Sequence, residues 1–194
     1  RLWQRLCDAA AVGLGAPPEW EFGVFGEEED PRTRADKLDE GLDVLAGLWS
    51  GRPFKYQGNI YRVDEVSFDP TPVQKPRIPV WVAGGWPGTR PFRRAAKWDG
   101  VFPQSSGGLE GKMLTPHDIR DIVRFVKAHR SDNGPFDVIT AGVTTGLDHL
   151  ADTKKVVPFE AAGATWWLED VSPFAAGWNF DGPTHGDRLA ARVR

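Results

Sequence analysis

The sequence has one cysteine, two tyrosines and no long apolar run. A lone Cys7 can form no internal disulfide, and no stretch approaches the roughly 18 apolar residues of a membrane span. A reducing, cytoplasmic setting is therefore expected, with no membrane partner. A large charge excess is also missing: 24 Lys and Arg stand against 27 Asp and Glu, for a net charge of -3. Proteins that bind the phosphate backbone use a positive excess, so no nucleic-acid partner is expected. His117, His129, His149 and His185 show neither HxxxH nor HxH spacing. With Cys7 alone, no metal site is expected, and neither a Walker loop nor a Ser-His-Asp arrangement is readable. No signal-peptide pattern opens the chain, and Arg1 stands where an initiator Met would be, so the start is expected to be cut from something longer.

What is present suits a folded α/β protein. Forty per cent of the 194 residues are hydrophobic and 26% charged, an ordinary soluble balance. Nine Trp and eleven Phe supply large apolar surfaces to bury, and 22 Gly with 16 Pro imply many tight turns between short elements.

Residues 9–15 (AAAVGLG) read as a buried strand ending in two glycines. Asp30-Pro31 supplies an N-cap and a first-turn proline for a helix. The helix's apolar stripe Ala35, Leu38, Leu42, Leu45, Leu48, Trp49 runs to Ser50-Gly51. Residues 54–69 predict a small hairpin, within an insertion over 52–79. Val80 to Ala83 reads as a parallel strand ended by Gly84-Gly85, followed by a short helix near 91–98 and a strand over 99–103. Thr115-Pro116 caps a helix, 136–141 is strand-like, and 152–162 is helical but interrupted by Pro158. Ala164 to Glu169 is a last strand, and a terminal helix from Asp187 is expected. The alternation predicts one domain over 1–194 built on a parallel sheet of about five strands, either a small doubly wound sheet or most of a barrel.

Four stretches together resemble the luciferase-like monooxygenase family: AVGLGAPPEWEFGVFGEEEDPRTRADKLDEGLDVLAGLWSG, YQGNIYRVDEVSFDPTPVQKPRIPVWVAGGW, RPFRRAAKWDGVFP and EAAGATWWLEDVSPFAAGW. The resemblance runs from about residue 11 to about 182 and implies a TIM-type (β/α)8 barrel, here incomplete at about strands four to eight. It also implies a flavin or deazaflavin cofactor, FMN or coenzyme F420, and a small-molecule substrate. Residues 1–10 do not resemble the family's lead into this strand. The family's first three strands, which carry much of its substrate pocket and often its catalytic acid or base, have no counterpart here.

Candidate site residues follow from both readings. Gly13 and Gly15 end the first strand, and glycine there permits positive φ and close approach of a ligand, or simply a tight turn. The family places this turn near the flavin. Ala83-Gly84-Gly85-Trp86-Pro87-Gly88-Thr89 reads as a strand-to-helix turn presenting N–H groups to an anion, and the resemblance puts the cofactor phosphate there. Thr89 can cap the helix or donate to phosphate, while Arg90, Arg93 and Arg94 either suit an anionic cofactor or form a solvated basic face. Trp86 either stacks on a cofactor ring or packs. Glu169 and Asp170 follow the last strand at the end where barrels keep their sites, as a general acid or base or as loop charges.

The first functional expectation is a flavin- or deazaflavin-dependent oxidoreductase. The rival is a truncated, non-catalytic remnant acting as a cofactor-binding or interaction protein. Five strands of eight would leave sheet edges open, so a homo-oligomer is expected, with little or no turnover from this chain alone.

Overall fold

Local chemistry sets the elements of the computed structural model, which describes residues 9–15, 21–106 and 113–171. Helix α1 (Pro31–Trp49) starts where the Asp30 side chain accepts from the Thr33 N–H, with proline at the position that needs no donor. Helix α3 (Pro116–His129) opens with a capping box: Thr115 and Asp118 exchange side-chain-to-backbone bonds. The remaining strands and α-helices are β1 (Ala10–Val12), β2 (Phe54–Gln57), β3 (Arg62–Val66), β4 (Val80–Trp86), α2 (Arg90–Ala95), β5 (Gly100–Ser105), β6 (Asp137–Gly142), α4 (His149–Ala162) and β7 (Trp166–Glu169).

Strands β1, β4, β5, β6 and β7 lie side by side in that order, every neighbouring pair parallel. The sheet curls into a half-barrel, an incomplete (β/α)8 arrangement. β2 and β3 form a separate antiparallel hairpin. Glu40 on α1 holds its turn by accepting from the N–H groups of Asn59, Ile60 and Tyr61. These three donors keep the Glu40 carboxyl below its usual range.

Register divides the sheet into two faces. Val80 and Val82 on β4, Val101 on β5 and Val138 on β6 point to one side, where they are buried against Phe92, Ile119, Ile122, Val126 and Phe159 of the helices. The opposite, concave side carries Ala11, Trp81, Ala83, Phe102, Asp137, Ile139, Trp166 and Leu168. Here the Trp81 and Trp166 rings meet at 5.4 Å, and the Trp81 indole donates to Asp137 at 3.1 Å.

Three sequence expectations need correction. β4 does not end at Ala83 but runs to Trp86, because β5 continues beside it and pairs Gly84 with Pro103 and Gly85 with Gln104. α4 is not interrupted at Pro158: it begins earlier, on Asp148 accepting from Leu150 and Ala151, and runs unbroken to Gly163. Pro158, which cannot donate to the Lys154 carbonyl, is exposed, and so is Lys154. The last strand begins at Trp166, two residues later than expected. The expected helix from Asp187 lies outside the described residues, as do Cys7 and His185.

Candidate functional site

Parallel strands bring all their C-terminal ends to one rim, which is where barrels and open α/β sheets keep their sites. On this half-barrel the rim is formed by Gly13 after β1, Gly85 to Thr89 at the end of β4, Ser105-Ser106 at the end of β5, Val143 to Thr145 after β6 and Glu169-Asp170 at the end of β7.

The concave side of this rim between β1 and β4 is floored by small residues. Ala11 pairs with Trp81 and Val12 with Val82, so Gly13 lies beside Ala83 on the same face. A Cβ at Gly13 would sit 3.3 Å from the Ala83 Cβ, and one at Gly85 would sit 3.3 Å from the Ser106 Cα. Neither glycine leaves a side chain above the sheet, so Gly13, Ala83 and Gly85 form a shelf without bulk. Gly15 takes a positive φ of 71° and abuts Glu21 and Phe22.

Gly84 and Trp86 face the other way. Pro91 of α2 occupies the space a Gly84 side chain would need. The Trp86 ring packs edge-on against Phe92 at 5.1 Å and Phe125 at 6.3 Å, in the layer between sheet and helices. Of the two roles open to Trp86, packing is the one this geometry provides. The turn itself is only Pro87 to Thr89. Thr89 stands at the N-cap position of α2 in αR geometry without a side-chain cap bond, so the expected capping by its hydroxyl does not occur.

The three arginines separate. Arg94 is buried and donates to both Asp39 oxygens, at 2.5 and 3.0 Å, and to the Ala35 carbonyl. It joins α2 to α1 and is not available to a cofactor, correcting that expectation. Arg93 stands 5.7 Å from the Phe125 ring, and Arg90 is exposed beside the turn.

Glu169 ties a loop. One oxygen accepts from the Thr144 N–H at 2.5 Å; the other accepts from the Thr144 hydroxyl at 2.9 Å and the Trp167 indole at 3.2 Å. That environment fixes the β6 loop against β7 and leaves the side chain on the helix side of the ladder, away from the shelf. The Asp170 N–H donates to the Gly142 carbonyl at 2.7 Å. The same loop is tightened by Asp152, which accepts from Thr145 and Gly146 N–H groups; those bonds hold its carboxyl below the usual range. Among the described residues no cluster of three or more His, Cys, Asp or Glu is arranged to hold a metal, and no helix is long and apolar enough to cross a membrane.

Sequence reasoning missed Arg34. It lies on the buried stripe of α1 with Leu38 and Leu42, is only 7% exposed, and stacks its guanidinium 3.6 Å from the Phe22 ring centre. Its signal in the sequence is a charge at i, i+4, i+8 spacing with Leu38 and Leu42, where an apolar residue belongs.

A parallel half-barrel with its open shelf at the strand C-termini defines an incomplete α/β-barrel architecture, and the family follows from comparison. The model of the luciferase-like monooxygenase family matches residues 10–157, and the chain belongs to that family. An FMNH2-dependent dimethylsulfone monooxygenase of Pseudomonas putida is 28% identical over 104 residues, covering 52% of this chain and 27% of the relative. An F420-dependent glucose-6-phosphate dehydrogenase of Tsukamurella paurometabola is 31% identical over 101 residues, 51% of this chain and 29% of the relative. A solved F420-dependent secondary alcohol dehydrogenase, in complex with an F420–acetone adduct, shares the fold with a TM-score of 0.60 at 15% identity, over 83% of this chain and 63% of that one. The matches thus span under a third of these two curated relatives' length.

Proposed function

We propose that this chain contributes the cofactor-binding half of a flavin- or deazaflavin-dependent oxidoreductase, with FMN or coenzyme F420 lying on the shelf of Gly13, Ala83 and Gly85. The observation that carries this reading is the absence of side-chain bulk at the β1 and β4 C-termini on the concave face. A planar tricyclic ring needs such a surface, and backbone without Cβ atoms lets it approach closely. The family relationship supports the same class, since relatives on both cofactors match.

When bound, the cofactor supplies hydride transfer or, for a reduced flavin, oxygen activation. The chain's residues hold and orient it. Gly88, Thr89 and Arg90 at the β4–α2 turn would take its phosphate, the Thr89 hydroxyl not being used to cap α2. Trp81, Phe102 and Trp166 line the concave side and would exclude water beneath the ring. Glu169 acts as a positioning residue through Thr144. The lone cysteine supports a cytoplasmic setting, and the outer positions of β1 and β7 in the described sheet support self-association. A stable monomer in light scattering at micromolar concentration would contradict the latter.

Fluorescence titration of the full chain with FMN and with F420 tests the reading and separates the two cofactors. Saturable binding of at least one is expected, weakened tenfold or more in the Gly85→Val, Thr89→Val double variant. Unchanged affinity in that folded variant would remove the assignment.

A further inference from the structure

A second feature of the rim goes beyond the flavin reading and does not depend on it. Between β1 and the first turns of α1 lies a cavity of about 160 Å³, lined by Gly13, Leu14, Phe22, Arg34, Lys37 and Leu38, with Glu27 and Glu28 also on its wall. That is room for roughly five waters, enough for one small charged group and too little for a tricyclic ring.

Arg34 sets the chemistry. Its Nη2 is sealed from solvent and has no hydrogen-bond partner among the described residues. Arginine cannot shed its proton at any physiological pH, so burial does not convert it to a neutral form as it would a lysine. The Phe22 ring covers the guanidinium face but accepts none of its edge donors. A buried, permanently charged donor without an acceptor costs stability. The neighbouring carboxylates do not satisfy it. Glu28 turns one oxygen back to the Asp30 N–H at 2.9 Å, and none of the ion pairs among the described residues includes Arg34. By contrast Arg94, the other buried arginine of this helix layer, has Asp39 and a carbonyl. Lys37, one helical turn beyond Arg34, adds a second cation to the same wall.

We infer that this cavity is an oxyanion subsite. A carboxylate or phosphate group of a small molecule would be held there by the charge of Arg34, which lines the cavity, with Lys37 as the second donor. The planar fork of Arg34 suits two parallel bonds to such a group.

The test is calorimetric titration of the full chain with inorganic phosphate and, separately, acetate, at matched ionic strength. Saturable binding of one of them is expected, at least tenfold weaker in Arg34→Met. Because that substitution removes an unpaired buried charge, Arg34→Met is also expected to melt no lower than wild type in chloride alone. Should it fail to fold, Lys37→Met serves instead, with about threefold weaker binding expected. Glu27→Gln with Glu28→Gln should tighten binding by removing like charge. No saturable binding by wild type, equal binding by the lysine and arginine variants, or a double glutamine variant that is destabilised and still binds neither anion, would overturn the proposal; the last would make a wall carboxylate the partner of Arg34. FMN and F420 titrations of Arg34→Met distinguish the source. A parallel loss assigns the group to the cofactor's own phosphate, and retained affinity assigns it to a separate molecule. Failure of cofactor binding with phosphate or acetate binding intact would count against the flavin reading alone.

Discussion

The two ends of the parallel sheet are built on opposite principles. At the N-terminal ends the polar groups are closed on one another. Arg77 pairs with Asp99 at 2.5 Å, Asp99 also accepts from the Val80 N–H at 2.7 Å, and Asp137 accepts from Trp81 while Thr165 spans to the Val138 N–H. At the C-terminal ends, small residues leave an open shelf between β1 and β4, and the buried Arg34 Nη2 has no acceptor among the described residues. One end spends its polar chemistry on joining strands; at the other, Glu169 and Asp152 tie the loop after β6, while the β1–β4 side keeps an open surface. This matches the division in barrels between a stabilising bottom and a functional top.

The largest effect is expected at the closed end. Asp99→Ala removes the carboxylate partner of Arg77 and the acceptor of the Val80 N–H together, and should cost about 1.5–3 kcal/mol in a urea melt, the range for hydrogen bonds to charged groups. A loss below about 0.5 kcal/mol would show that these bonds are exchanged for water without cost, and would break the comparison at its firmer end.

At the open end the ordering should reverse, with little stability lost and much affinity. Ala83→Leu adds bulk on the concave shelf and is expected to change stability by less than about 1 kcal/mol, as substitutions outside a packed core do. Cofactor affinity in the same variant should fall at least tenfold, read by fluorescence titration.

Glu169→Gln sharpens the account of the β7 end. Loss of one accepting oxygen to Thr144 should cost about 1 kcal/mol and loosen the β6 loop, visible as faster exchange of the Thr144 amide. A variant of unchanged stability whose cofactor reoxidation is abolished would restore Glu169 to the proton-transfer role.

The smallest effect concerns acid. Bonds from Thr145 and Gly146 hold the Asp152 carboxyl below the usual aspartate range, so the folded state favours its ionised form. Its contribution is complete above the ordinary aspartate value and is lost as pH falls through the depressed folded value. Amide shifts of Thr145 and Gly146 should therefore titrate at the acid end of the aspartate range, and Asp152→Asn should abolish that titration.

How much of this was readable in the residues depended on how local the cause is. The α1 cap at Asp30 and the α3 box at Thr115 lie within three residues of their partners, and both stand where the sequence puts them. The end of β4 was not readable, because β5 on its flank carries Gly84 and Gly85 on as ladder residues. Trp86 was open between packing and binding, and Arg94 between binding and a solvated face, until Phe92, Phe125 and Asp39 came into contact with them from the helices. Glu169 showed no partner in the sequence because Thr144 lies 25 residues away. The shelf was half legible: the glycines were visible, but which of them face the concave side follows only from register, which separates Gly13 and Gly85 from Gly84.

If the open end of the sheet holds a flavin-type ring, cofactor titration must separate a change at that end from a change at the closed one. FMN and F420 are titrated into wild type, Ala83→Leu and Asp99→Ala, each at a temperature where all three are folded. Saturable binding of one cofactor by wild type is expected, with affinity within about twofold for Asp99→Ala and at least tenfold weaker binding for Ala83→Leu, a difference of about 1.4 kcal/mol. Binding that is unaffected by Ala83→Leu, or lost equally in both variants, would contradict that placement of the ring.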